Sequence, residues 1–207
     1  MLRLRTVSAC DVDGLYAISL ATGAAGGDAA NLYSDGRMVG HLYSAPYAIL
    51  GPETAFVAED DDGVGGFIVG ALDTRAFEER CEREWWPRLR EIYADPSETP
   101  RPAWTADQRR SFTIHHPRQT ADAIVEAFPA HIHMNLLPRM QGRGIGRKLL
   151  AFWLEAARRK SVTGVHCGVN AANSKAIAFW QAVGFVPFAL PAEPMDSTRW
   201  FVRRLDG

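Results

Sequence analysis

At 207 residues, 47% hydrophobic and 23% charged, the chain has the length and composition of one globular domain with a sizeable core. Its 23 Lys and Arg against 24 Asp and Glu leave a net charge of -1, which argues against a nucleic-acid binder and gives no reason for an acidic polymer partner. Cys10, Cys81 and Cys167 are odd in number and widely spaced, so neither a zinc knuckle nor a disulfide framework is expected.

Residues 1–14 hold no apolar core of a secretory signal, and no stretch reaches the roughly 18 apolar residues of a membrane helix. A cytoplasmic protein without a membrane partner is expected. Residues 2–7 alternate apolar and polar as a half-buried strand does. A polar stretch with Asp11 or Asp13 available as N-cap follows. Val12, Leu15, Tyr16 and Leu20 then recur at helical spacing. The Gly-Ala run at 23–27 predicts a helix end and a flexible loop. Residues 28–53 read as short helix and loop. Two β-prone runs, 54–59 and 65–72, flank Asp60-Asp61-Asp62-Gly63, a hairpin signal because the Asp-Gly step tolerates positive φ.

Residues 74–128 predict a helical insert: a helix over 77–93 broken near Pro87, a proline-rich loop over 95–102, and a short helix over 119–128. A strand over 131–137 stops at Pro138. An amphipathic helix over 144–160 carries Leu149, Leu150, Trp153, Leu154 and Ala157 on one face. A strand over 162–169, a helix over 173–183 ended by Gly184, and strands over 185–190 and 199–205 joined by a proline-containing turn complete the chain. Strands alternating with helices imply an α/β layer fold with a mostly parallel half.

The most informative segment is Leu136-Leu137-Pro138-Arg139-Met140-Gln141-Gly142-Arg143-Gly144-Ile145-Gly146-Arg147-Lys148. A strand stops at a proline, a glycine-rich loop follows and a helix begins. Glycines let the backbone turn tightly and aim several N–H groups at one point. The helix start adds its positive dipole end, and Arg143, Arg147 and Lys148 add full charges. The expected guest is a phosphate or pyrophosphate. A P-loop would need Gly-Lys-Ser/Thr, and Gly146 is followed by Arg147-Lys148-Leu149. A dinucleotide fingerprint would need G-x-G-x-x-G near the first strand, and here G-x-G-x-G lies in the last third of the chain.

Gln141, Gly144 and Gly146 in this context resemble the acetyl-CoA pyrophosphate loop of the GNAT superfamily of N-acetyltransferases. Gly168-Val169-Asn170-Ala171-Ala172-Asn173-Ser174-Lys175-Ala176 with Phe179-Trp180 and Gly184-Phe185 resembles that family's following strand–helix segment. The stretches Arg37–Tyr47, Phe56–Thr74 and Trp86–Tyr93 are similar to the acetyltransferase-like domain at the C-terminus of O-GlcNAcase and its bacterial relatives. The resemblance covers about 37–188. It implies a single acyltransferase domain over 1–207 with the insert at about 74–128. The implied fold is α/β, a mixed, mostly antiparallel central sheet with splayed strands, flanked by helices. The implied cofactor is acetyl-CoA. Gln141, Gly142, Arg143, Gly144, Ile145, Gly146 and Arg147 would hold its pyrophosphate, and Met134, Asn135 and Leu136 its pantetheine amides. Asn173 would touch the pantetheine arm and Trp180 would pack against the cofactor. The N–H of Leu136 is the implied oxyanion donor.

Transfer to an amine requires a base for the acceptor and a proton for the leaving thiolate. Many relatives use a tyrosine for the second task where this chain has Trp180, and an indole N–H is no acid. His131 and His133 offer a base or relay by their near-neutral pKa, or are packed, hydrogen-bonded histidines. Against the His-x-His of some relatives they are offset by one residue, which a β-bulge would undo. Asp73 offers a base or substrate anchor beside the splayed strand, or a helix N-cap. Glu59 and Asp60 read as turn charges. Trp85, Trp86 and Trp104 line an acceptor pocket or pack in a core. His115 and His116 lack a third ligand at useful spacing, so no metal is expected. The expectation is an acetyl-CoA-dependent N-acetyltransferase with an unspecified amine acceptor; the alternative is a GNAT-shaped binding module without turnover. The 199–205 strand offers a homodimer edge.

Overall fold

The computed structural model describes residues 2–190 and 198–205. In chain order the elements are β1 (Arg3–Thr6), α1 (Val12–Ala21), α2 (Met38–Tyr43), α3 (Ala45–Leu50), β2 (Ala55–Asp60), β3 (Gly63–Ala71), α4 (Thr74–Glu84), α5 (Trp86–Ile92), α6 (Ala106–His115), α7 (Asp122–Val125), β4 (Ala130–Leu136), α8 (Ile145–Arg158), β5 (Gly164–Asn170), α9 (Ser174–Ala182), β6 (Val186–Phe188) and β7 (Thr198–Arg204). The strands form one sheet in the order β1-β2-β3-β4-β5-β7-β6. Only β4 and β5 run parallel; every other neighbouring pair is antiparallel. The mostly parallel half expected from the alternation of elements is thus corrected to one parallel pair, because only α8 makes a strand-to-parallel-strand crossover.

The amphipathic stripe of α8 does what its spacing predicts. Leu149, Leu150, Trp153, Leu154 and Ala157 are all buried against Ile68, Ile132 and Val165 of the sheet. Each large apolar side chain so covered contributes roughly 1.5–3 kcal/mol. On the opposite face α1 and α3 cover Val57, Phe67 and Val69 with Leu15, Ile18 and Tyr47. A third cluster joins α2 to the insert through Met38, Leu42, Trp86, Leu89 and Ile114. Trp85 and Trp86 pack there, and Trp85 donates its indole N–H to the His41 carbonyl at 2.9 Å.

The hairpin turns at Asp61-Asp62, with Gly63 at φ +90°. Glu59 and Asp60 are more than turn charges. Glu59 pairs with Arg5 at 2.8 Å, and Asp60 with Arg139 at 3.3 Å, which ties the hairpin to the glycine loop. The helix expected over 119–128 is only Asp122–Val125, since Arg75 holds the preceding segment through the Thr120 carbonyl and Asp122. The insert holds one helix not foreseen, α6. Few apolar residues mark it, but Thr105 and Gln108 form a reciprocal capping box at its start, with bonds of 2.9 and 3.2 Å. At the other end of the chain, β7 is flanked by β5 on one side and β6 on the other. The dimer edge expected at 199–205 is therefore already paired within the sheet. The turn expected before it falls at 191–197, outside the described residues.

Candidate functional site

β4 and β5 are paired only at Ala130↔Val165 and His131↔His166. Beyond His131 the two strands diverge, while β4 stays in register with β3 from Ala71↔His131 to Gly66↔Leu136. Leu137 donates to the Gly65 carbonyl at 2.8 Å, in the same register. In an antiparallel ladder, alternate residues face the neighbour. Odd-numbered residues of β4 therefore spend their backbone groups on β3, and even-numbered ones face β5. Met134 and Leu136 accordingly present main-chain groups to the gap, and Asn135 presents none. Asn135 enters instead by its side chain, which donates to the Thr22 hydroxyl at 2.6 Å.

The gap opens onto a cleft of about 790 Å³. Gln141, Gly142, Gly144, Ile145, Gly146 and Arg147 line one end, with Met134, Asn135, Leu136, Asn173 and Trp180 along its length. Gly142 and Gly144 have φ of +70° and +72°, and a Cβ added to either would meet nothing within 4 Å. The first helical bond runs from Lys148 N–H to the Gly144 carbonyl. The backbone N–H groups of residues 142–147 have no acceptor among the described residues. Six consecutive unengaged donors at a helix start, with open space beside Gly142 and Gly144, suit an anion such as a pyrophosphate. The Gln141 side chain braces the loop by donating to the Leu136 carbonyl at 2.8 Å. Arg143 and Arg147 are exposed, each lightly held on a backbone carbonyl at 3.2 Å.

Asn173 caps α9 with its Oδ1, 3.0 Å from Ala176 N. Trp180 is buried and meets Phe179 and Phe185 edge-on at 5.2 and 4.8 Å. Opposite Asn173 sits the Gly-Ala run, which forms a hydrogen-bonded tight turn. Ala24 and Gly27 exchange both backbone bonds at 2.9 Å, with Ala25 and Gly26 at φ 50° and 93°. A Cβ on Gly26 would lie 3.0 Å from the Asn173 Nδ2, so only glycine lets this turn close on the cleft. Sequence reading missed Thr22, Ala25, Gly26, Gly27 and Lys175 as lining residues; the glycine density at 23–27 was the available signal.

The histidines lie at the vertex where the strands part. No shift interrupts the β3–β4 register, so no bulge moves them. His131 is buried; His133 is half-buried. The Thr74 hydroxyl has one hydrogen and donates it to the Pro129 carbonyl at 2.7 Å. Its oxygen therefore accepts from His131 Nδ1 at 2.8 Å. That leaves His131 Nε2 bare, so it accepts the Tyr47 hydroxyl at 2.8 Å. With its hydrogen spent, Tyr47 accepts from His133 Nε2 at 3.1 Å. The network thus assigns the tautomer of His133: proton on Nε2, lone pair on Nδ1. Nδ1 has no partner among the described residues. Burial, with a smaller push from His166, lowers the His133 pKa to about 4. Burial first, then His133 and His166, keeps His131 well below the usual histidine range.

Asp73 is exposed and caps α4, accepting from Ala76 N at 3.0 Å. It follows Ala71, the partner of His131, and so sits at the closed end of the strand pair; like His131, His133 and Arg143, it is not among the residues that line the cleft. His115 Nε2 donates to the Tyr93 carbonyl at 2.6 Å, and His116 meets Asp95 at 2.7 Å; both serve the insert. Trp104 donates to the Thr99 carbonyl at 2.7 Å and packs on Phe112.

Residues 29–185 match the family model described as acetyltransferase (GNAT) family. Protein O-GlcNAcase of Rattus norvegicus is 24% identical over 149 residues, which are 72% of this chain and 16% of that protein. The chain therefore spans a small part of that relative's length. SsHAT is 31% identical, with a TM-score of 0.90 over 100% of this chain and 99% of that one. The yncA protein of Salmonella typhimurium, solved with its cofactor acetyl-CoA, shares the fold at 16% identity and a TM-score of 0.55, over 99% of this chain and 94% of that one.

Proposed function

The chain belongs to the acetyltransferase (GNAT) family, and from that premise we propose that it transfers an acetyl group from acetyl-CoA to a primary amine by direct attack of the amine. The observation that carries this reading is the V between β4 and β5 leading onto the unengaged N–H groups of residues 142–147. Acetyl-CoA, when bound, supplies an activated acyl thioester. Residues 142–147 bind its pyrophosphate, and Arg143 and Arg147 add charge. Met134 and Leu136 offer main-chain groups to the pantetheine amides, and Asn173 and Trp180 flank the arm. Of the two main-chain N–H groups facing the gap, that of Leu136 adjoins the loop and that of Met134 adjoins His133, so the Met134 N–H is the donor suited to a developing oxyanion. His133 receives the proton of the incoming amine at Nδ1, the nitrogen the network leaves bare, while the C–S bond breaks and CoA leaves as a thiolate that takes its proton from water. The low pKa of His133 keeps Nδ1 unprotonated through the neutral range and makes it a weak base, one that takes the proton only as the new N–C bond acidifies the amine. His131 and Tyr47 position it and exchange no proton with the acceptor. Asp73, committed to its helix cap, takes no part.

Calorimetry with acetyl-CoA should give micromolar-range binding, and an amine screen should release free thiol. No binding at millimolar acetyl-CoA would overturn the reading. Binding without thiol release from any amine would favour a binding module, the reading that Trp180 at the acid position supports.

A further inference from the structure

The insert brings to the His133 side of the sheet a positive charge that no acid among the described residues answers. Arg110 of α6 is half-buried. Its Nε donates to the Tyr33 hydroxyl at 3.0 Å and its Nη1 to the Tyr43 hydroxyl at 2.9 Å, across 77 and 67 residues of sequence. No carboxylate among the described residues pairs with it. Asp107, one turn earlier on the same helix, is committed to the backbone N–H groups of Ser34 and Asp35, at 2.9 and 3.3 Å. A guanidinium drawn out of water is costly unless an acid or a ring of acceptors compensates it.

The tyrosines sharpen the point. Each phenol oxygen accepts from Arg110, so each hydroxyl hydrogen is directed elsewhere, and neither has an acceptor among the described residues. The cluster thus offers only donors: two phenol O–H groups and the unspent N–H groups of one guanidinium. Its complement is a group with two oxygens, no hydrogen to place and a single negative charge, which is a carboxylate.

Tyr43 also sets the cluster's place relative to the chemistry. Its ring meets the His133 ring with centroids 5.5 Å apart, and the Arg110 guanidinium carbon lies 5.2 Å from the same Tyr43 centroid. The cation and the candidate base are therefore separated by no more than those two spans laid end to end. A small molecule bridges that distance when it carries an amine at one end and a carboxylate at the other. We infer that Arg110, Tyr33 and Tyr43 form the carboxylate subsite of the acceptor, and that the acceptor is a free amino acid whose amine reaches His133. This rests on the acetyl-transfer reading above and names its substrate class.

The test is thiol release from acetyl-CoA with matched pairs of free amino acids and their carboxyamides. The amide's amine is the less basic and the more available at neutral pH, so intrinsic reactivity favours the amide. Preference for the acid by about tenfold or more in kcat/KM is expected, the value of a charged hydrogen-bonded contact. Arg110→Gln should erase that preference, bringing kcat/KM for the acid down to that for the amide in the same variant. Arg110→Lys keeps the charge without the fork, and should weaken the preference even if Arg110→Gln does not fold. Equal use of acid and amide, or a preference undiminished in the variants, would overturn the subsite. Should no amine release thiol, the acetyl-transfer reading fails separately. Calorimetry of the same pairs on protein saturated with CoA then decides the subsite: acid-selective binding lost on substitution of Arg110 sustains it, and the absence of selectivity overturns it.

Discussion

Gly144 is the position at which the phosphate cradle can be tested with least ambiguity. It is the N-cap of α8, in left-handed backbone at φ 72°, and its missing Cβ faces open space. Any L-residue there costs about 1–2 kcal/mol of stability through backbone strain alone. Gly144→Gln and Gly144→Glu share that strain and nearly the same volume, so they differ in one charge. A carboxylate about 5 Å from a phosphate, at an effective dielectric constant near 20, is repelled by about 3 kcal/mol per unit charge. The Kd for acetyl-CoA should therefore rise roughly a hundredfold or more between the Gln and Glu variants. Calorimetry at low ionic strength measures this, and added salt should narrow the gap. Thermal midpoints of the two variants should agree, which checks that the fold is common to both. Equal Kd values for Gln and Glu would refute the placement of the pyrophosphate at residues 142–147.

His133→Ala should lower kcat by about 10²–10⁴-fold with KM for acetyl-CoA little changed, the usual contribution of a positioned base; Tyr47→Phe should cost less, and an unchanged kcat in His133→Ala would remove His133 from the mechanism. His41 is buried, and burial lowers its pKa to about 4. The unfolded chain then holds the extra proton between about pH 6.5 and 4, so stability falls as pH falls through that window, by about 3 kcal/mol from this group alone. Urea midpoints that stay level between pH 7 and 4.5 would contradict that linkage. Asp11 is 5% exposed and takes two bonds from Arg5, at 2.6 and 2.8 Å. Asp11→Ala strands part of that charge and should cost about 3 kcal/mol in denaturant unfolding. Gly70→Ala should cost at least as much, because the added Cβ would sit 2.3 Å from the His131 carbonyl oxygen and 2.8 Å from Trp153 Nε1. A Gly70→Ala protein of wild-type stability would show that β3 and β4 shift apart more easily than this packing implies.

Some of the molecule was legible in its residues and some was not. The hairpin at Asp62-Gly63, the stripe of α8 and the cap at Gly184 are short-range features. Each depends on neighbours within a few positions, and the structure places each within a residue or two of the expectation. Helix α6 escaped notice because most of its residues are polar and its burial is decided by contact with α2, a long way off in sequence. The tight turn within the Gly-Ala run is not legible in the sequence, because it lies against Asn173, nearly 150 residues later. Asp73 kept two readings until the structure committed its carboxylate to Ala76.

By itself, the sequence determined the loop proposed as the phosphate cradle. Residues 141–147 are contiguous, the glycines set the backbone conformation, and a backbone N–H donates whatever its side chain. Only the tertiary structure decided which histidine holds a bare nitrogen, and which one. The proton on His133 is placed by Tyr47, 86 residues away, and Tyr47 is placed by His131 and Thr74 in turn. The donor-only cluster of Arg110, Tyr33 and Tyr43 likewise exists only once three distant segments meet. A tautomer and an unanswered charge are properties of an environment, and an environment is assembled by folding.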